Sequence, residues 1–297
     1  ALCGSSARKL KQLDANLLAG RAINRAFFPL VCAELPRLPV TDDVLRWGLL
    51  PEVRSDLVSA ADILEAYAAN YLREQIQQEV LTKDLASFAR FLRVAGLLNG
   101  QVVTVTNIAR ESAVVRPTVQ RYFDVLVDTL IGVWLPARQP RIKVCESAYP
   151  RFYLFDCGVV RAVCGRLRAL LHKSERGPAL ETLMLHEIRA HLAHHAVGGE
   201  LSHYRTAARV EMDFIWQGPE RAVGIEVKAA RVCRRSDGAA LLDLLERNVI
   251  QAAVAVYGGD HPLKDGAARV WPSSPPCLAA SQVVYDRLST SRRRFRS

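Results

Sequence analysis

Two short acidic runs on either side of a turn constrain this chain more than any other feature. Glu211-Met212-Asp213-Phe214 precedes Gly224-Ile225-Glu226-Val227-Lys228, and Gly218-Pro219 lies between them. Both runs have the apolar spacing of strands, and side chains alternate across a strand. Strict alternation puts Val210, Met212, Phe214 and Trp216 on one face and Glu211, Asp213 and Ile215 on the other. In the second run Val223, Ile225 and Val227 share a face, and Glu226 and Lys228 share the opposite one. A hairpin closed at Gly218-Pro219 brings Asp213 near Glu226 and Lys228.

That grouping has a chemical use. Asp213 and Glu226, with the carbonyl of Val227, make a hard-oxygen set suited to Mg²⁺. Such an ion polarises a phosphate oxygen and lowers the pKa of its water. Lys228 can orient that water, help to deprotonate it, or counter the charge that develops at phosphorus. Glu181, on the preceding helix, adds a carboxylate if that helix packs on the sheet. A solvated strand face with an ordinary ion pair accounts for an isolated match of this length. The catalytic reading gains weight from context: a helix over 181–193, strands over 202–206, 210–216 and 223–227, a helix over 241–248 and a buried strand over 252–257.

Upstream, apolar residues at helical spacing (Ile63, Leu64, Tyr67, Tyr71, Leu72, Ile76, then Phe88, Phe91, Leu92, Ala95) predict helices within 60–98. Residues 101–156 read as a winged helix-turn-helix. A short strand over 102–105 leads to a helix capped by Thr106, and Arg116-Pro117-Thr118 opens a second helix. Val119, Tyr122, Phe123, Leu126, Val127 and Leu130 give that helix its core face. Two strands follow, joined by a basic loop with Arg138, Arg141 and Lys143. Arg116, Thr118, Gln120 and Arg121 could contact phosphates and base edges in a major groove; alternatively the module is a spacer that docks domains. Tyr122 and Phe123 read as core rather than stacking residues.

Composition sets the partners. Forty Lys and Arg against thirty Asp and Glu give a net charge of +10, which favours acidic partners such as nucleic acid. The only basic run is Arg292-Arg293-Arg294 with Arg296, in a Ser/Pro-rich and then basic tail. The seven cysteines have no ligand spacing and read as free, mostly buried thiols. With no membrane-length apolar run and no signal peptide visible, the reading is cytoplasmic. His191 and His195 stand at i, i+4, but His186, His191, His194, His195 and His203 are read as a surface cluster at a helix end.

The chain also resembles a known family, the prokaryotic AAA-type ATPases whose C-terminal domain is called DUF4143. The resemblance spans nearly the whole chain. It rests on Gly4-Ser5-Ser6-Ala7-Arg8-Lys9-Leu10, Asn16-Leu17-Leu18-Ala19-Gly20-Arg21-Ala22, Phe28-Pro29-Leu30, Ala33-Glu34-Leu35, Gly48-Leu49-Leu50-Pro51-Glu52 and Tyr71-Leu72-Arg73. Pro117-Thr118-Val119-Gln120-Arg121-Tyr122, Tyr153-Leu154-Phe155-Asp156-Cys157-Gly158, Leu180-Glu181-Thr182 and His186-Glu187-Ile188 continue it. Tyr204-Arg205-Thr206 and the two acidic runs complete it. Arg209 stands where the family has a Gly.

The resemblance implies a mixed α/β (α+β) architecture. Residues 1–59 would be a remnant of an AAA+ ATPase domain with its sensor-1 strand and lid helices. Residues 60–156 would be a helical linker and winged helix, 157–275 a restriction-endonuclease-like αβββαβ domain of PD-(D/E)XK type, and 276–297 a basic tail. No Walker A sequence occurs in the chain. ATP is therefore expected only of a full-length protein, with the missing ATPase half or a second copy as a partner. The functional expectation is a nucleic-acid-associated module with a nuclease-like site. The alternative is a non-catalytic interaction or regulatory platform.

Overall fold

The computed structural model describes residues 25–36, 41–71, 84–138, 149–206, 210–232, 235–259, 263–265 and 268–272. The segments about Ser5-Ser6 and Asn16, Leu72, Arg73 and Ile76, Arg141 and Lys143, Arg209 and the tail lie outside these residues. So do Cys3, Cys145, Cys233 and Cys277, while Cys32, Cys157 and Cys164 are buried, as expected.

Three short helices come first: α1 (Thr41–Trp47), α2 (Pro51–Ser55) and α3 (Ala60–Ala66), the last continued by a π-helical turn, Tyr67–Tyr71. Gly48 turns the chain between α1 and α2 at φ +73°, and a Cβ there would stand 2.0 Å from Asp156 Oδ1. This close approach lets the Asp156 carboxylate accept the Leu49 N–H at 2.6 Å.

The winged helix is built from α4 (Leu85–Leu97), α5 (Val105–Ser112), α6 (Arg116–Asp128), β1 (Gly132–Leu135) and β2 (Arg151–Leu154). Thr104, not Thr106, caps α5, accepting the Asn107 N–H at 3.3 Å. The expected strand over 102–105 is reduced to one bridge, between Val102 and Arg151. Pro117 lies in the first turn of α6, as predicted. Val119, Tyr122, Phe123 and Leu126 are buried, but Leu130 is exposed because the chain leaves the helix there at positive φ. Tyr122 and Phe123 are core residues: Phe123 meets Phe91 at 4.9 Å and Phe152 at 4.7 Å between ring centroids.

β2 is buried on both faces. Phe152 and Leu154 enter the winged-helix core, whereas Tyr153 joins the core under the large sheet. Asp156 then caps α7 (Cys157–Val163), whose Val159 packs in the winged-helix core. The long helix α8 runs from Lys173 to His194. It begins well before the helix expected over 181–193, because the His172 ring and Glu175 cap it at that earlier point. Pro178 lies inside the helix, where its missing N–H removes one intrahelical bond.

The large sheet has six strands in the order β3-β4-β5-β6-β8-β7, over Glu200–Arg205, Glu211–Gln217, Ala222–Lys228, Ala252–Tyr257, Ala268–Pro272 and Leu263–Asp265 respectively. β5, β6 and β8 are parallel, and the other pairs are antiparallel. α8 covers one face, with Leu180, Leu183, Met184 and Ile188 against Phe214, Trp216, Val223 and Ile225. α9 (Ala239–Glu246) covers the other, with Leu241 and Leu244 against Met212, Ile215 and Ala222. The αβββαβ order expected from the sequence is present, and β7 and β8 extend it.

Strict alternation fails in β4. Met212 lies under α9 while Phe214 and Trp216 lie under α8. The cause is a bulge: Ser202 faces Ile215 and Tyr204 faces Met212, two steps along β3 against three along β4. The extra residue falls at Asp213–Phe214 and re-aims the side chains beside it.

Candidate functional site

The β4–β5 ladder pairs Gln217 with Ala222 through to Phe214 with Ile225. Beyond that point a side chain replaces the backbone partner. The Asp213 carboxylate accepts the Val227 N–H at 2.9 Å through Oδ2. Asp213 is thereby fixed beside the last residues of β5, which carry Glu226 and Lys228. The Lys228 ammonium donates to Glu226 Oε1. α8 crosses this end of the sheet and brings Glu181 to it. The sequence-predicted residues Asp213, Glu226, Val227, Lys228 and Glu181 all line one cleft of about 410 Å³.

Two further groups share the cleft. Period-2 alternation along Arg151-Phe152-Tyr153-Leu154 sends Arg151 and Tyr153 towards the sheet. The Arg151 guanidinium lies 3.4 Å from Asp213 Oδ1, 3.5 Å from Glu181 Oε2 and 3.5 Å from Glu211 Oε2. The Tyr153 hydroxyl donates to Glu181 Oε2 at 3.3 Å. Glu211 also pairs with Arg205 at 3.1 Å at the mouth of the cleft. Sequence reading missed Arg151 and Tyr153 because they lie in the winged-helix module. The available signal was an Arg and a Tyr on one side of a strand whose other side is wholly apolar.

Burial first, and then the neighbouring Asp213 charge, push the Glu181 carboxyl up to about 8 and that of Glu226 up to about 7. Burial opposes the charge on Lys228, but Glu226 beside it, together with Asp213 and Asp237, outweighs that and raises the lysine above its ordinary value. Arg151 follows the same pattern: burial lowers it, and Tyr153, Asp213 and Glu181 together raise it further. The cleft thus crowds four carboxyl groups among three cationic side chains, and the crowding favours the neutral form of two of them.

A divalent cation fits this chemistry. Glu226 Oε2 is buried with no hydrogen-bond partner, and the surrounding donors are hard oxygens. No preformed cage of three His, Cys, Asp or Glu side chains exists among the described residues; the guanidinium of Arg151 bridges the carboxylates instead.

The residues predicted to touch nucleic acid stand elsewhere. Arg116, Gln120 and Arg121 are exposed on α6, Thr118 is half-buried, and none lines the cleft. Gln120 donates to Asp124 at 3.0 Å. The histidines do not form the expected surface cluster. His186, His191 and His203 are buried. His186 Nε2 contacts Leu30 O at 3.0 Å, and Glu187 accepts the Cys32 N–H at 2.7 Å, so this part of α8 anchors the segment before α1. His191 and His195 stack at 4.4 Å without a third ligand among the described residues.

The fold and cleft define a mixed α/β protein whose sheet carries a carboxylate–lysine site next to a winged helix. Residues 176–274 match the family model described as "Domain of unknown function (DUF4143)", so that domain is present in this chain. Residues 40–169 match another, "Domain of unknown function (DUF8612)". Two curated relatives, uncharacterized proteins Rv2008c of Mycobacterium tuberculosis and Mb2031c of Mycobacterium bovis, are each 28% identical over 278 residues. The alignments cover 91% of this chain and 61% of either relative. Among solved structures, protein VC1899 from Vibrio cholerae matches at 12% identity and a TM-score of 0.30, over 85% of this chain and 58% of that one. No helix among the described residues is long and apolar enough to cross a membrane.

Proposed function

We propose that the DUF4143 domain is a metal-dependent phosphodiesterase of restriction-nuclease-like fold, carried to nucleic acid by the winged helix. The observation that carries this reading is the meeting of Asp213, Glu226, Lys228 and Glu181 in one polar cleft, at the point where β4 and β5 part. When bound, Mg²⁺ would supply a polarised phosphate and an activated water. Asp213, Glu226 and the Val227 carbonyl would hold it, with Glu181 assisting. Lys228, kept protonated by Glu226, would orient the water and counter the charge growing at phosphorus. The exposed Arg116 and Arg121 of α6 suit phosphate contacts, with Thr118 and Gln120 beside them.

ATP binding, which the resemblance to AAA-type ATPases implies for longer proteins, has no Walker A residues to rest on in this chain. Coupling to an ATPase partner or to a second copy belongs to the same proposal. One observation favours a second reading, a non-catalytic platform: Arg151 and Lys228 pair with the carboxylates of the cleft.

The test is nicking of plasmid DNA in Mg²⁺ or Mn²⁺ by the purified chain beside Asp213→Ala and Lys228→Ala. Loss of at least about 100-fold in both variants supports cleavage. Equal nicking by all three assigns it to a contaminant and leaves the platform reading.

A further inference from the structure

Arg151 is a buried guanidinium aimed at the middle of a carboxylate cluster, and it comes from another module. It lies on β2, whose opposite face is sealed into the winged-helix core by Phe152 and Leu154. Its backbone is held by β1 through Leu135 and by the bridge to Val102. Its side chain is 7% exposed, and the guanidinium pairs with Glu181, Glu211 and Asp213. Two of these carboxylates belong to the metal site read above: Asp213, which would hold the ion, and Glu181, which would assist. A guanidinium and a metal ion cannot both sit between them, because each needs the same oxygens and the two repel.

We infer that Arg151 is the resident counter-ion of the site, so that metal loading is an exchange in which the guanidinium gives up Asp213 and Glu181 to the incoming cation. This rests on the metal-dependent reading above and deepens it by naming the group that sets metal affinity. The natural landing place for the displaced head is Glu211, at the mouth of the cleft, which Arg151 already contacts. Arg151 is a positioning residue in this scheme. It keeps the carboxylates together without metal and holds metal affinity down. Because β2 belongs to the winged helix, any shift of that module moves the competing cation and changes metal affinity.

The experiment is calorimetric titration of the full chain with Mn²⁺, comparing wild type, Arg151→Met and Arg151→Lys, with circular dichroism of each. Arg151→Met should bind Mn²⁺ at least about ten-fold more tightly than wild type, since methionine keeps the apolar stem and removes the competing charge. Arg151→Lys should return affinity towards the wild-type value. A merely structural arginine predicts the opposite order, because damage to the cluster weakens binding. Should Arg151→Met be unfolded without metal, Mn²⁺ must refold it; a chain that stays unfolded in Mn²⁺ overturns the inference. Equal or weaker Mn²⁺ binding by a folded Arg151→Met also overturns it, while wild-type binding leaves the metal reading intact. No Mn²⁺ binding by any of the three folded chains removes both.

Discussion

Arg151 and Asp213 lie 62 residues apart in sequence and 3.4 Å apart in space, and they belong to different modules. The cleft is therefore an intermodule site. One wall is Gly100, Gln101, Val102 and Arg151; the other is the end of the sheet with α8. A neighbouring link has the same character: Asn99 donates to Thr182 at 2.8 Å and accepts the Leu154 N–H at 2.7 Å, tying α8 to the winged helix.

The crowded carboxylates predict an alkaline weakness of the metal-free protein. Glu181 and Glu226 have folded values of about 8 and about 7, raised by burial and then by Asp213. Their contribution to stability is complete below their ordinary range and is lost as pH rises through the folded values. In a chelator the melting temperature should fall by roughly 5 °C or more between pH 6 and pH 9. Mn²⁺ should remove most of that fall, and Glu181→Gln should reduce it. A flat profile in chelator would count against raised values for these two carboxyls.

His203 predicts an acid limb of opposite sign. Burial first, then Arg151, lowers its imidazole to about 4, while its ring contact with the Tyr149 carbonyl at 3.1 Å opposes the shift. The stability it contributes is complete above the ordinary histidine value of about 6.5 and is lost as pH falls towards 4. His203→Gln should make that limb shallower in pH-dependent denaturant melts. An unchanged limb would assign acid loss to other groups.

Gly48 and Asp156 form a packing pair that tolerates no added carbon. Gly48→Ala places a methyl 2.0 Å from Asp156 Oδ1 at a backbone φ of +73°, so it should cost roughly 2–4 kcal/mol. Asp156→Ala should cost a comparable amount, because Leu49 and Val159 both lose the acceptor of their N–H groups. Urea denaturation of both variants measures this; a loss under about 0.5 kcal/mol for Gly48→Ala would show that the turn relaxes freely.

The winged helix predicts a salt signature. If α6 contacts phosphates, Arg116→Ala and Arg121→Ala should each weaken DNA binding on all sequences alike. Each should also reduce the slope of log affinity against log salt by about 1. Fluorescence anisotropy at several salt concentrations reads both quantities. Unaltered slopes in both variants would move the nucleic-acid surface away from α6 or remove it.

The sequence alone determined the elements and much of the site. Local hydrophobic period is a short-range property, so the helix-turn-helix, the 211–228 hairpin and the buried strand at 252–257 were readable within a residue or two. The Asp213, Glu226 and Lys228 grouping was readable for the same reason. Tertiary structure decided what depends on contacts distant in the chain. The bulge in β4 arises from pairing with β3, and it moved Met212 to the face opposite Phe214 against strict alternation. Burial of His186, His191 and His203 depends on the segments that cover them. The placing of Arg151 among the carboxylates required the winged helix to dock on the sheet, and no local pattern in 149–156 specifies that partner.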